Sequence, residues 1–233
     1  MHNIKKIPLF TALRYAPKNL LQILGLSCMS NTFFYAFFAY MPDYLSHYAN
    51  LSSHQAFWIQ SLFLTIMLFL VPLAGVFGDR WGRKKVLIIA TSSIVLFTLP
   101  CFYLVNVQNV GLIMLSLMIA TLISSLEQGS RTALLVEICP VDIRYSGISV
   151  AYNLGAAIFG GTCPLIMMTL IQMYTPIAPA YYIILTGGIG LLTTLTLSNH
   201  LQKDFSLTTL QTNEVENDTA SETPGFSCNS GAG

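Results

Sequence analysis

The chain has 233 residues, of which 54% are hydrophobic and 9% are charged, and its mean hydropathy is +0.63. Soluble domains are about a quarter charged, so this composition excludes a cytosolic enzyme, a secreted disulfide scaffold and a disordered regulator. The net charge of +1 provides no field that would attract a nucleic acid. The sequence therefore indicates an integral membrane protein that is not an enzyme.

The cysteine and histidine residues give no sign of a metal or cofactor site. The five cysteines form no C-x-x-C pair, and none of the four histidines lies at ligand spacing from them. In an apolar segment a free cysteine behaves as a small hydrophobic residue. We therefore expect no cofactor, no metal and no structural disulfide.

Long stretches without Asp, Glu, Lys or Arg predict the membrane spans. A helix needs about 20 apolar residues to cross a hydrocarbon core about 30 Å thick. The uncharged stretches cover 19–42, 44–78, 86–126 and 145–202, and polar breaks at 106–109 and 174–179 divide the last two. The chain is therefore predicted to be an all-α integral membrane protein with six transmembrane helices, near 20–42, 57–77, 86–105, 110–136, 146–172 and 180–199.

The basic residues predict the orientation of these helices. Ten of the 11 Lys and Arg residues precede the first helix, follow the sixth, or lie in the connections after the second and fourth. The other three connections contain none, so the positive-inside rule predicts that both termini are cytoplasmic. The expected location is the plasma (inner) membrane. We expect a cytoplasmic segment over 1–19, a transmembrane domain over 20–199 and a disordered, acidic cytoplasmic tail over 200–233.

The connection between the second and third helices carries a distinctive pattern, Gly75-Val-Phe-Gly78-Asp79-Arg80-Trp81-Gly82-Arg83-Lys84-Lys85. So short a reversal needs a residue that tolerates positive φ, and Gly82 supplies it. Gly75 and Gly78 allow close approach of helices. Asp79 can cap the next helix or pair with a cation from another one.

This segment resembles the G-x-x-x-D-R-x-G-R-[KR] loop of the major facilitator superfamily, which joins the second and third helices of each six-helix half. The matching residues are Gly75, Asp79, Arg80, Gly82, Arg83 and Lys84. The resemblance implies that the six predicted helices form one half of a major facilitator fold.

A second stretch is similar to the metabolite:proton symporters, which include proline/betaine, α-ketoglutarate, citrate and shikimate transporters. Residues 137–147 match E-x-x-P-x-x-x-R-Y-[ST]-G, and residues 152–164 match Y-N-x-G-x-A-x-F-G-G-x-x-P. In that group the stretch joins the tenth and eleventh helices, and Asn31–Tyr44 is similar to the seventh. The resemblance, over about 8 to 200, therefore implies the C-terminal half.

The function that this resemblance implies is secondary active transport: proton-coupled symport of a small osmolyte or carboxylate metabolite such as proline or betaine. Transporters of this kind work as two six-helix halves around a central site. The implied partners are the solute, protons, the lipid bilayer and a separately encoded N-terminal half. The alternative is a truncated, non-transporting gene product or a membrane adaptor that requires a partner half.

Charged residues inside a predicted span mark candidate functional positions. Glu127 and Arg131 lie four apart on the fourth helix and share a face, about 15 Å and 9 Å from its cytoplasmic end. Buried ionisable residues in membranes are functional candidates by default. Two roles are open: a proton-carrying carboxylate, or an ion pair that neutralises itself. Arg131 can also extend to the membrane surface or to Asp79.

Three further polar residues are candidates for the solute or proton pathway: Asn31, Tyr35 and Asn153. Asn31 and Tyr35 lie four apart on the first helix, and Asn153 lies on the fifth helix near a group of glycines. Each of these side chains can equally serve in helix–helix packing.

Overall fold

A computed structural model of the protein describes residues 17–138 and 144–197. Six helices in these ranges are long and apolar enough to cross a membrane, and the described residues include no strand. The prediction of an all-α fold with six spans is confirmed. The predicted segment 1–19 and tail 200–233 lie almost entirely outside the described residues and stay predictions. Pro140, the proline of the pattern at 137–147, also lies outside them.

We number the six spans α1 to α6. The first, α1, consists of an α-helix over Pro17–Phe34, a π-helix over Tyr35–Tyr40 and an α-helix over Met41–Tyr48. The fifth, α5, consists of an α-helix over Arg144–Gly155, a π-helix over Ala156–Gly160 and an α-helix over Cys163–Met173. The other four are continuous α-helices: α2 over Ser53–Trp81, α3 over Arg83–Asn106, α4 over Val110–Ile138 and α6 over Ala178–Thr196.

Both boundaries of the second helix differ from the prediction for local chemical reasons. The second helix begins at Ser53 rather than near 57, because Ser52 and Gln55 form a capping box in which each side chain bonds the backbone N–H of the other. It also continues through Trp81, so most of the motif predicted as a connection is helical. Gly82 alone reverses the chain, with the positive φ of 96° that the sequence predicts there.

The helices pack around α1 and α4. The fourth helix contacts α2 and α3, while α1 contacts α5 and α6, and α3 also contacts α6. Aromatic rings join α1 to α3, since the ring centroids of Phe37 and Tyr44 lie 5.5 and 5.7 Å from that of Phe102. The Tyr44 hydroxyl also donates to the Pro176 carbonyl at 2.9 Å and accepts from Asn106 Nδ2 at 2.8 Å. This end of the domain is therefore tied together across α1, α3 and the α5–α6 connection.

Two helices expose much more apolar surface than the others. Within an apolar stretch of 18 residues in each span, 22% of α2 and 28% of α5 is buried, whereas 44% to 61% of the remaining four spans is buried. Large side chains such as Phe69 and Leu73 on α2 and Leu165 on α5 are more than 60% exposed. In a membrane these faces contact lipid or another protein.

Candidate functional site

A buried ion pair lies where α1, α4 and α5 meet. Glu127 and Arg131 on α4 are 2% and 3% exposed, and Arg131 Nε donates to Glu127 Oε1 at 2.7 Å. The other carboxylate oxygen, Oε2, accepts a hydrogen bond from Ser30 Oγ of α1 at 3.0 Å. From α5, the centroid of the Tyr152 ring lies 5.4 Å from the guanidinium carbon of Arg131. We call these four residues the α4 polar cluster.

The position of Arg131 decides between the alternatives that its sequence left open. A cation on this part of α4 can extend to the membrane surface, but Arg131 is buried and directed toward Glu127 and Tyr152. It does not pair with Asp79 either: its ion pair is with Glu127, and Asp79 pairs with Arg83. Burial of an ion pair costs desolvation energy that good geometry and further hydrogen bonds must offset, and Glu127 has a partner on each oxygen.

A second set of polar contacts joins α1 to α5 beside this cluster. Ser27 Oγ donates to the Tyr152 carbonyl at 2.9 Å, and Asn31 Nδ2 donates to the carbonyl and hydroxyl oxygens of Ser27 at 2.8 and 3.0 Å. A Cβ on Gly155 would lie 2.5 Å from Ser27 Oγ, so the glycine is required for this approach. Asn31 is therefore buried and donates within α1, while Ser27 makes the hydrogen bond that crosses to α5.

One step along from these contacts, the end of the α5 π-helix lies beside the start of the α1 π-helix. A Cβ on Gly160, at the end of the α5 π-helix, would lie 2.8 Å from Tyr35 Cε2 and 3.4 Å from Asn31 Cβ. Tyr35 is the first residue of the α1 π-helix. Segments of π-helix are rare and occur often at functional sites, because they interrupt the regular i→i−4 hydrogen bonding. The glycines of α5 suggested a break there, whereas nothing in the aromatic run of α1 predicted one.

Of the five predicted pathway residues, Glu127 and Arg131 are in direct contact, and Asn31 and Tyr35 lie near each other where α1 meets α5. Asn31, Glu127 and Arg131 are buried at the junction of α1, α4 and α5. Tyr35 is half-buried beside them. The fifth residue, Asn153, does not join this group.

Asn153 lies on the exposed side of α5, and its amide contacts Ser149 Oγ on the same helix at 3.4 Å. Its neighbour Tyr152 faces the α4 polar cluster instead. Sequence reasoning did not identify Tyr152 or Ser30 as members of the cluster.

A comparison with known protein families agrees with the six-helix fold. The profile described as Major Facilitator Superfamily matches residues 23–216, which is most of the chain. The chain belongs to the major facilitator superfamily.

Several curated transporters are similar to the chain. The glycine betaine/proline/ectoine/pipecolic acid transporter of Dickeya dadantii is 33% identical over 187 residues, which is 80% of this chain and 37% of that protein. The ectoine/proline transporter of Corynebacterium glutamicum is 30% identical and the proline/betaine transporter of Escherichia coli K12 is 27% identical, each over 85% of this chain and 40% of the relative. The chain thus spans about two fifths of the length of these relatives.

The motif that resembles the superfamily's α2–α3 loop forms an ion-pair cluster at the start of α3, the end of the domain opposite Tyr44 and Asn106. Arg83 Nε contacts Asp79 Oδ1 at 2.6 Å, and Arg83 Nη1 donates to Glu137 Oε1 of α4. Lys84 donates to the Leu197 carbonyl beyond the end of α6. Of the two roles predicted for Asp79, pairing with a cation from another helix is the one observed, and no side chain caps the start of α3. The motif therefore fastens α2 and α3 to α4 and α6.

Within this motif, Glu137→Gln is expected to destabilise the domain more than Asp79→Asn. The Glu137 side chain is 10% exposed and joins α3 to α4, so losing its charge costs about 1.5 to 3 kcal/mol. The Asp79 side chain is 55% exposed, and an exposed pair contributes about 1 kcal/mol or less. Unfolding of the full chain in detergent micelles measures both, with the exposed Lys85→Gln as the control that leaves stability unchanged. Equal effects of the two acid variants would contradict this ranking.

Proposed function

We propose that the chain is one half of a secondary active transporter for small zwitterionic osmolytes such as proline and glycine betaine. Membership of the superfamily supports transport as the activity, and the solutes named for three similar proteins support this class of solute. The observation that carries the proposal is the α4 polar cluster, since a buried charged pair inside a membrane domain is expensive and such residues mark solute and ion pathways in transporters.

We propose that a second six-helix half covers the exposed faces of α2 and α5. Those faces are the least buried of the six spans. The α5 face also carries the exposed amide of Asn153. An amide that faces hydrocarbon without full hydrogen bonding costs several kcal/mol, which favours a protein or water-filled surrounding at this position. In transporters of this kind, the solute site lies between such halves near the middle of the membrane.

We propose that Glu127 carries the coupled proton. Among the residues that the structure describes, it is the one fully buried carboxylate. The charged and polar groups that face it are Arg131 on its own helix and Ser30 on α1, with the Tyr152 ring of α5 on the far side of Arg131. A carboxylate placed between a cation and a hydroxyl can alternate between an ion pair and a protonated, neutral form.

Uptake in cells tests the class of solute. The test uses host cells that lack their own osmolyte uptake. These cells express the chain together with the part of the Dickeya dadantii transporter that the chain does not cover. Labelled proline and glycine betaine should accumulate, and each should compete with the other. Cells that carry either part alone serve as controls and should not accumulate solute. Absence of uptake with both parts present would favour the non-transporting alternative.

We propose that both termini are cytoplasmic and that the chain lies in the plasma (inner) membrane. To test the orientation, the five cysteines are replaced and single cysteines are introduced at Ser52, Asn109, Thr175 or Ser221. The first three positions lie in connections without basic residues and should react with an impermeant thiol reagent in intact cells. Cysteine at 221 should react only after the membrane is opened. Reaction at 221 in intact cells would reverse the assigned orientation.

A further inference from the structure

The guanidinium group of Arg131 uses only part of its bonding capacity. Its Nε donates to Glu127 Oε1 at 2.7 Å, and no hydrogen bond from Nη1 or Nη2 joins it to any residue in the described ranges. The side chain is nevertheless only 4% exposed. Arginine carries five N–H donors, so four donors of a buried cation have no partner among the described residues.

Glu127 cannot satisfy these donors in the observed arrangement. It meets Arg131 side-on through Nε, and its second oxygen accepts from Ser30 Oγ at 3.0 Å. The guanidinium carbon lies over the Tyr152 ring, 5.4 Å from the ring centroid. The donors without a hydrogen bond to a described residue therefore lie at the Nη1–Nη2 edge. Two parallel N–H donors at that edge match the two oxygens of a carboxylate.

We propose that this edge of Arg131 binds the carboxylate of the transported solute. The inference rests on the proposed function, osmolyte transport. The solutes named for the Dickeya dadantii relative are glycine betaine, proline, ectoine and pipecolic acid. Their nitrogen groups differ, from a quaternary ammonium to a secondary amine and an amidine, whereas each carries one carboxylate. An arginine that holds the shared group explains how one site accepts solutes with different cationic ends.

The contact also connects solute binding to Glu127. A carboxylate on the Nη edge adds a second anion beside the guanidinium, and one cation then faces two negative charges. The two negative charges, on Glu127 and on the solute, repel each other, which disfavours ionisation of both. Glu127 therefore takes up a proton as the solute binds. One proton is thus gained for each solute carboxylate that is bound, and the site remains close to neutral.

Thermal unfolding of the purified full chain in detergent micelles, followed by tryptophan fluorescence, tests this contact with three probes. Glycine betaine carries a carboxylate and a trimethylammonium group, choline carries the same ammonium group without a carboxylate, and propionate carries a carboxylate alone. Glycine betaine should raise the midpoint of unfolding, and choline should not. In Arg131→Lys, which keeps the charge but loses the planar donor pair, half-maximal stabilisation should require at least about tenfold more glycine betaine.

A second variant covers the case in which Arg131→Lys does not fold. The double change Glu127→Gln with Arg131→Gln removes both charges together and should fold without responding to glycine betaine. An unchanged response in either variant, an equal response to choline, or no response of the wild-type chain to any carboxylate overturns the proposed contact. Stabilisation by propionate and not by glycine betaine supports the contact and rejects osmolytes as the ligand, so the two proposals fail separately.

Discussion

Replacing Glu127 by Gln is expected to lower the free energy of unfolding by about 3 to 5 kcal/mol, because the change leaves Arg131 buried without its anion. The double change with Arg131→Gln should restore most of that loss, since it removes both charges from the same buried site. Reversible unfolding of the full chain in micelles measures the three variants. Asp43→Asn is the matched control, because Asp43 pairs with His47 at an exposed position and its loss should cost little.

The double variant is what makes this measurement specific to the ion pair. Any substitution in a packed site can destabilise a protein, but only the loss of a pair predicts that a second loss at the same site is stabilising. A double variant that is less stable than Glu127→Gln alone would show that Glu127 and Arg131 do not act as a pair.

The second large effect is expected at Gly129, where α4 meets α2. A Cβ at this position would lie 2.7 Å from the Gly75 backbone nitrogen and 2.9 Å from the Val71 carbonyl oxygen. Backbone atoms cannot move aside as a side chain can, so Gly129→Ala should separate the helices and cost about 1 to 3 kcal/mol.

The chain offers a matched control for this glycine. Gly188 lies inside α6, and a Cβ there would meet nothing within 4 Å. Gly188→Ala should be neutral or should stabilise the domain by up to about 1 kcal/mol, because alanine has the higher helix propensity. The midpoint of unfolding should therefore fall for Gly129→Ala and should stay unchanged or rise for Gly188→Ala. A loss of stability at Gly188 equal to that at Gly129 would contradict the packing assigned to α2 and α4.

The sequence was sufficient to predict the fold because the relevant forces act along single helices. Uncharged stretches of about 20 residues are required to cross a membrane, and they located all six spans. The start of α2 could also have been predicted, since Ser52 and Gln55 have the spacing of a capping box, but the prediction relied on apolar content alone. Residues 78–85 of the motif were predicted as a connection because they are polar, yet polar residues continue a helix readily outside the hydrocarbon core.

The partners within the candidate site were less predictable, because they depend on which helix faces meet. Glu127 and Arg131 were identifiable as charges inside a span, and their spacing predicted the pair. Ser30 is one of several hydroxyl residues on α1, and only the packing of α1 against α4 brings it to Glu127. On α5, neighbouring residues point about 100° apart, so only the orientation of the helix determines that Tyr152 faces the α4 polar cluster while Asn153 lies on the exposed side.

Proteoliposomes that contain the chain and the complementary part of the Dickeya dadantii transporter test the central claim, that this half couples proton movement to solute transport through Glu127. An imposed pH gradient should drive labelled glycine betaine above its external concentration. With Glu127→Gln, assayed at a temperature where the variant is folded, exchange of internal for external glycine betaine should continue while accumulation driven by the gradient is lost. Accumulation by Glu127→Gln at the wild-type level would contradict the claim.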